Sequence, residues 1–496
     1  MNLFGGGSSS ICDNNGILQF YTDGITVWNK NNSPMPNGNG LMGHFATTQS
    51  SLIVKQPEND SIYYIFTADY RYSFPNNRGF RYSIVNMSLQ GGLGDVVQKN
   101  IPLLVPATQQ QTAIKHCNNR DFWIVAHEYD TTAFYSYLLS DTGLSAPIIS
   151  YAGLGNIQSN IDGAYIKASP YGNKLVQIIG NGSTLTTQIF NFNRNTGQIS
   201  LYRKFAEGAQ DAEFSPDGEK LYLTIEVPNG NGDTFGIWQY NLLAGTDSQI
   251  VNSRILVGMV AGTCQALQIA SNGKIYTARS NKDSLGVINY PNLLGISCNY
   301  IDNGVSLSNK LCLSGLPNLY HLYPSIPIIN SFTYSDTLYG DTTFFTIPQT
   351  TYIDSVRWNF DDNVTGAENT SALFQPYHIF SSDGVYTVQT IIYYPCNTDT
   401  IYKIISIEKP LGIANKEVSA IHIYPNPFTG KVFIKNISNE TVQIEICDIM
   451  GRAIVSQLPI KENENVALDI SDQPAGLYLL KTLASGTVRA HKLLKQ

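Results

Sequence analysis

The 496-residue chain is expected to be all-β: a β-propeller of six blades, with seven as the alternative, followed by two small β-sandwich domains. Three observations carry this expectation. A polar turn followed by an apolar, aromatic strand recurs six times in residues 1–325. Its interval is about 50 residues, the length of a four-stranded blade. No window sustains the 3.6-residue apolar period of a helix. Charged residues are only 14% of the chain, while Gly (41) and Tyr (30) are abundant, a mix that suits strands and tight turns. With 43% hydrophobic residues the chain can bury sizeable cores, which excludes wholesale disorder.

Charge narrows the partners. Lys plus Arg is 31 and Asp plus Glu is 38, a net charge of −7. Nucleic acid is therefore not an expected partner, because phosphate neutralisation needs clustered cations. No apolar run reaches the roughly 18 residues of a membrane helix. The N-terminus, MNLFGGGSSSICDNNG, has neither the basic region nor the apolar core of a secretory signal peptide. Read literally, that means a cytoplasmic protein. The other end of the chain overrules this reading, so the N-terminus is expected to be truncated.

The six turn–strand units are DNNGILQFYT (13–22), ENDSIYYIFT (58–67), NNRDFWIVA (118–126), YGNKLVQII (171–179), PDGEKLYLT (216–224) and SNGKIYTA (271–278). Asn-Gly and Asp-Gly between apolar runs are strong hairpin signals, because these residues reach φ > 0 at low cost. The fifth unit is expected to form strands over Ala212–Ser215, Lys220–Ile225, Thr234–Asn241 and Ser253–Val257. A seventh blade could be assembled from the two chain ends, and because the first blade begins almost at Met1, its closing partner is expected to be missing. ASPYGNKL and FSPDGEKL resemble the blade motif of bacterial periplasmic and lactonase-like propellers. QFYTDGITVWNKNNSPMPNG (19–38) and SGLPNLY (314–320) resemble propellers of large surface proteins from Bacteroidetes-type bacteria.

The innermost strand of each blade lines the propeller channel. Polar residues recur where these strands begin: Gln49, Gln111, Asp162, Asp211 and Gln265. The plainer reading is a wet channel lined by water-holding groups; the same residues could form a ligand-binding ring, suited to a polar ligand, a sugar or calcium. A second recurrence, Asp23, Asp69, Glu128 and Glu226, follows the second strands and offers carboxylates for glycoside hydrolysis or ordinary turn formation. His116 and His127 flank one hairpin and could meet at its ends, although no metal-ligand motif is present. No GxSxG elbow or P-loop occurs. Of seven cysteines, Cys298 and Cys312 are close enough in sequence to pair, while scattered single cysteines such as Cys447 read as small buried hydrophobes.

The repeat stops before residue 328. In 328–408, VRWNFDD (356–362) and PYHIFSSDGVYTVQTII (376–392) resemble the polycystic-kidney-disease-type (PKD) immunoglobulin-like sandwich. Trp358 and Phe360 alternate inward, as a sandwich core requires. The resemblance implies a spacer or weak binding module. Asp361 and Asp362 are weak calcium candidates, and no other metal or cofactor is expected.

Residues 409–420 read as a linker and 421–496 as the last domain. Tyr424, Pro425, Asn426 and Pro427 open it, and Asp448 and Gly451 follow. Leu468, Ile470, Pro474, Gly476, Tyr478 and Gly486 come next, with Lys492, Leu493 and Lys495 at the end. Their order and spacing resemble the type A C-terminal sorting domain of the type IX secretion system. The resemblance implies export, with the secretion machinery and its sorting peptidase as partners. It also implies a secreted or outer-membrane surface-attached location. The leading expectation is a non-enzymatic adhesion or ligand-capture protein for an extracellular glycan or protein. The alternatives are a secreted propeller hydrolase acting on glycans or peptides, and a structural component of the surface or gliding apparatus.

Overall fold

The computed structural model describes residues 7–70, 77–155, 165–181, 184–205, 208–227, 234–262, 264, 266–320, 329–335, 337–348, 353–409, 421–484 and 486–496. The chain divides into two units, Met1–Glu408 and Lys409–Gln496.

The first unit begins with six antiparallel sheets in chain order, one per blade. Blade 1 spans Ser9–Cys12 to Pro34–Asn39, blade 2 Ser51–Lys55 to Asp95–Leu104, and blade 3 Ala107–Lys115 to Ile148–Tyr151. Blade 4 spans Ile166–Ala168 to Ile199–Phe205, blade 5 Asp211–Phe214 to Ile255–Ala261, and blade 6 Leu267–Ile269 to Tyr300–Ser306. No seventh propeller sheet occurs among the described residues. Residues 9–39 supply four strands of their own, so blade 1 does not lack the partner that the sequence reading expected. The segment after blade 6 returns to blade 1. There Ser8 pairs with Pro317, and the Asn318 N–H donates to the Ser8 carbonyl at 2.6 Å.

Strand alternation explains how the blades stack. Successive side chains point to opposite faces. In blade 3, Trp123 and Val125 enter the core shared with blade 4, while Ile124 and Ala126 enter the core shared with blade 2. In blade 2, Ile53 and Val54 divide the same way between blades 1 and 3. Both faces are buried, so the second strands read as continuous apolar runs rather than as a polar–apolar alternation.

The predicted turns form with a different geometry. In Ser215–Gly218 and Ala270–Gly273 the glycine N–H donates back to the first residue, and only the glycine has positive φ (+69° and +75°). Pro216 suits the second position of such a turn and Gly218 its left-handed exit. Blade 5 also differs from expectation in its last strand, which starts at Ile255 because the helix Asp247–Asn252 precedes it. A capping box between Thr246 and Gln249 starts that helix.

The sandwich in the first unit pairs a three-stranded sheet (Thr333–Tyr334, Thr343–Thr346, Tyr377–His378) with a four-stranded one. The second sheet contains Ser355–Asn359, Gly384–Tyr393 and Thr398–Ile407. Trp358 and Phe360 point inward and pack with Phe332, Phe345 and Val388. The Trp358 indole N–H donates to the Leu373 carbonyl at 3.0 Å, so its polar end is satisfied in the core.

The second unit is a separate sandwich of a three-stranded and a four-stranded sheet among the described residues. Its core contains Val432, Ile434, Ile444, Leu480 and Leu493. Ile421–Tyr424 ends just before Pro425, where the missing N–H stops the ladder.

Candidate functional site

Gln49, Gln111 and Asp211 lie at the propeller axis but are at most 1% exposed. The Gln49 amide donates to the carbonyls of Gln111 and Ile166, both at 3.0 Å, and accepts from the Ile166 N–H at 3.0 Å. Gln111 donates to the Gln49 carbonyl at 2.6 Å. These side chains tie blades 2, 3 and 4 to one another. The expected ligand ring is corrected to that extent: these side chains are removed from water, and Gln49, Asp211 and the Gln111 amide nitrogen are held by protein partners, while the Gln111 side-chain oxygen has none. Asp162 and Gln265 lie outside the described residues.

A second axial cluster joins blades 4, 5 and 6 around Asp211; its other members, Lys167 and Glu213, were missed by the sequence reading. The Lys167 ammonium is 2.6 Å from Asp211 and 3.7 Å from Glu213, with all three side chains buried. Asp211 also accepts the N–H of Leu267 at 2.7 Å, and Glu213 accepts that of Ile269 at 3.1 Å. Burial pushes the Asp211 carboxyl up to about 6, against the opposing pull of Lys167. Burial raises Glu213 as well. Between blades 3 and 4 runs a chain of amides. The Leu154 N–H donates to Gln188, Gln188 to Gln177, Gln177 to Gln110, and Gln110 to the Ile178 carbonyl.

The acidic residues after the second strands serve their own blades. Asp23 accepts the N–H groups of Ile25 and Thr26, both at 2.8 Å. Asp69 is buried and forms a two-pronged pair with Arg78 at 3.1 and 2.9 Å, which holds its carboxyl below the usual range despite burial. Glu128 accepts the Thr131 hydroxyl at 3.0 Å, and Glu226 is exposed. His116 and His127 lie at opposite ends of their hairpin, because Phe122 is the residue that pairs with Lys115. His127 is fully buried against Phe134, which pushes its pKa down to about 3.

In the sandwich, Asp361 accepts the Thr387 N–H at 2.8 Å. Asp362 is buried, accepts the Ser381 N–H and hydroxyl, and lies 3.1 Å from His378. The Asp362 carboxylate thus closes a loop from inside, which removes it from the set open to calcium. Among the described residues, no three His, Cys, Asp or Glu side chains converge as a metal site.

A feature with room for a ligand lies where the sandwich meets the propeller. Cys117, in the turn after the first strand of blade 3, is disulfide-bonded to Cys396 of the sandwich, with Cα atoms 4.9 Å apart. Cys298 and Cys312, the pair suggested by sequence proximity, are both buried free thiols. Beside the disulfide is a cleft of about 880 Å³. Blade 4 forms its floor with Lys174, Asn191, Ser200 and Tyr202, and the sandwich roofs it with Asp354 and Phe374. Register explains the floor: Lys174 pairs with Asn191, and Asn191 with Ser200, across three strands. The Lys174 ammonium is 2.5 Å from the Asn191 side-chain oxygen and 4.1 Å above the Tyr202 ring. Burial lowers the Lys174 pKa, and Asp354 opposes that shift. Asp354 is exposed at the rim, yet the protein packed around its carboxyl raises its pKa, opposed by Lys174.

In the second unit, the residues singled out in the sequence act as clips. Asn426 donates to the Lys492 carbonyl and accepts the Leu494 N–H, both at 2.8 Å. Asp448 accepts the N–H groups of Met450 and Arg452 around Gly451, whose φ is +80°. The Tyr478 hydroxyl donates to the Pro474 carbonyl. Lys495 donates to the Ser471 carbonyl at 2.9 Å. Tyr424 stacks on Phe433, and its hydroxyl accepts from Asn465 at 2.9 Å. Pro425 and Pro427 both follow cis peptide bonds, and Gly476 and Gly486 have positive φ.

Residues 422–496 match the family described as the secretion system C-terminal sorting domain. Among solved structures, the chain is similar to the periplasmic gluconolactonase PpgL of Pseudomonas aeruginosa (11% identity, 83% of this chain, 100% of that chain, TM-score 0.30). It is also similar to TolB from Acinetobacter baumannii (8% identity, 78% and 76% covered, TM-score 0.28). A third is an exo-beta-1,3-galactanase from Phanerochaete chrysosporium (10% identity, 92% and 96% covered, TM-score 0.29). No curated protein matches. The C-terminal domain indicates a secreted protein that engages the type IX secretion machinery. Among the described residues, no helix is long and apolar enough to cross a membrane.

Proposed function

We propose that this chain is an exported, non-enzymatic binding protein displayed at the outer-membrane surface. In this reading the propeller and a PKD-type sandwich form one receptor body, with its ligand held in the cleft between them. The C-terminal unit is the address, read by the secretion machinery and removed by its sorting peptidase. The observation that carries the reading is the cleft itself: mixed polar and aromatic walls from two domains that a disulfide pins together. The disulfide agrees with passage through an oxidising compartment.

The test has two arms. The chain, with and without residues 421–496, is expressed in a bacterium that has type IX secretion, and its surface fraction is measured. Loss of surface protein with the deletion is expected, and equal display would overturn the export reading. The purified oxidised chain is then compared with Ser200→Trp on an array of glycans and peptides. Ser200 is exposed on the cleft floor, so the indole fills the site. At least one ligand should bind the parent and be lost in the variant, without being hydrolysed. If no binding depends on this residue, or if the bound ligand is cleaved, the receptor reading is wrong.

A further inference from the structure

The chemistry of the cleft walls narrows the ligand class. Lys174 projects from the floor and Asp354 from the roof, one charge of each sign. Burial shifts both away from their ordinary pKa values, so neither is as well solvated as a free surface charge. Among the described residues no ion pair joins them, and Asp354 acts on Lys174 only through space. An anionic ligand would satisfy Lys174 and be repelled by Asp354. A cationic ligand would meet the reverse. Adjacent hydroxyls satisfy both, one oxygen accepting from the ammonium while its neighbour donates to the carboxylate.

The amides on the floor point the same way. Asn173 accepts the Ser169 hydroxyl at 3.2 Å, Asn191 accepts from Lys174, and Asn193 accepts the N–H groups of Asn195 and Thr196. Their oxygens are occupied. Their amide nitrogens, on residues that line the cleft, donate to no protein acceptor among the described residues. The floor thus offers donors suited to hydroxyl, ring and acetamido oxygens. Phe374 on the roof adds an apolar surface for the C–H face of a sugar ring.

We propose that the cleft binds a neutral sugar unit of a glycan chain, with adjacent hydroxyls held between Lys174 and Asp354. This rests on the receptor reading above and specifies its ligand. The oxidised full-length chain is titrated calorimetrically with neutral gluco-, manno-, xylo- and N-acetylchito-oligosaccharides and with acidic oligogalacturonate. At least one neutral series should bind. Lys174→Met and Asp354→Asn should each weaken it about tenfold or more, the scale of a lost hydrogen bond to a charged group. Asp354 is exposed, so its variant should keep the parent melting temperature and separate ligand loss from misfolding. Binding of oligogalacturonate or a peptide alone, abolished by Ser200→Trp, would overturn the neutral-sugar proposal and leave the receptor standing. Binding of a neutral sugar that ignores Lys174 and Asp354 would overturn it as well. If nothing in either panel depends on Ser200, both readings fall.

Discussion

The Gln49 side chain meets the backbone of Ile166 from across the propeller axis, donating to its carbonyl and accepting from its N–H, both at 3.0 Å. A primary amide has the same donor–acceptor pair as a peptide group, so one side chain does the work of a strand neighbour. Blades 2 and 4 are joined in this way although blade 3 lies between them in the chain. Gln49→Ala would leave both Ile166 groups and the Gln111 carbonyl without this partner in a buried site. The expected cost is about 2–4 kcal/mol, read from urea unfolding. An unchanged midpoint would show that water replaces the amide.

Lys167 faces two carboxylates with one ammonium. The Asp211 pKa is about 6 in the folded state against an ordinary 3.8. Between these values the folded protein holds a proton that the unfolded chain has released. The contribution of this group is therefore fully present below about pH 4 and is lost as pH rises through about 6. Lys167→Met should cost about 3–5 kcal/mol at pH 8, because it leaves buried charge uncompensated. The loss should shrink towards pH 5, where the carboxyls can protonate. Denaturant titrations at the two pH values check both the size and the sign.

The Cys117–Cys396 bond joins residues 279 apart in sequence. Cys396→Ser should lower stability by about 3–5 kcal/mol through the freedom restored to the unfolded chain. It should also loosen the roof over Lys174, so ligand affinity should fall with it. A variant that melts earlier but binds unchanged would separate the staple from the site.

Asn426 holds the last strand through Lys492 and Leu494. Asn426→Ala should release that edge by about 1–2 kcal/mol, seen as faster hydrogen exchange at the Leu494 amide. Exchange at Leu480, in the neighbouring strand, should change little.

What the sequence made legible was local. The repeat of turn and strand identified the six blades, and the spacing of Trp358 and Phe360 identified a core-facing strand. Asp211 and Gln49 were found because polar residues recur at the strand starts. Their burial was not legible, because the same pattern describes a water-lined channel and a closed axis. Lys167 gave no signal, because nothing in the residues beside it tells a buried lysine from a solvent-facing one. The cleft was invisible for a different reason. Lys174 and Asp354 lie in different domains, and docking of the sandwich brings them together. One signal was available: KHCNN and YYPCN place their cysteines among turn residues, unlike the apolar setting of Cys447.

The same disulfide closes a covalent ring around blades 4 to 6 and most of blade 3. An exported protein meets proteases, and a cut in any exposed loop between residues 117 and 396 would ordinarily shed a fragment. Here the two ends stay attached, and the blades around the cut remain packed through their shared cores. A nicked molecule should therefore keep working and migrate as one species, falling into two pieces only under reducing, denaturing conditions.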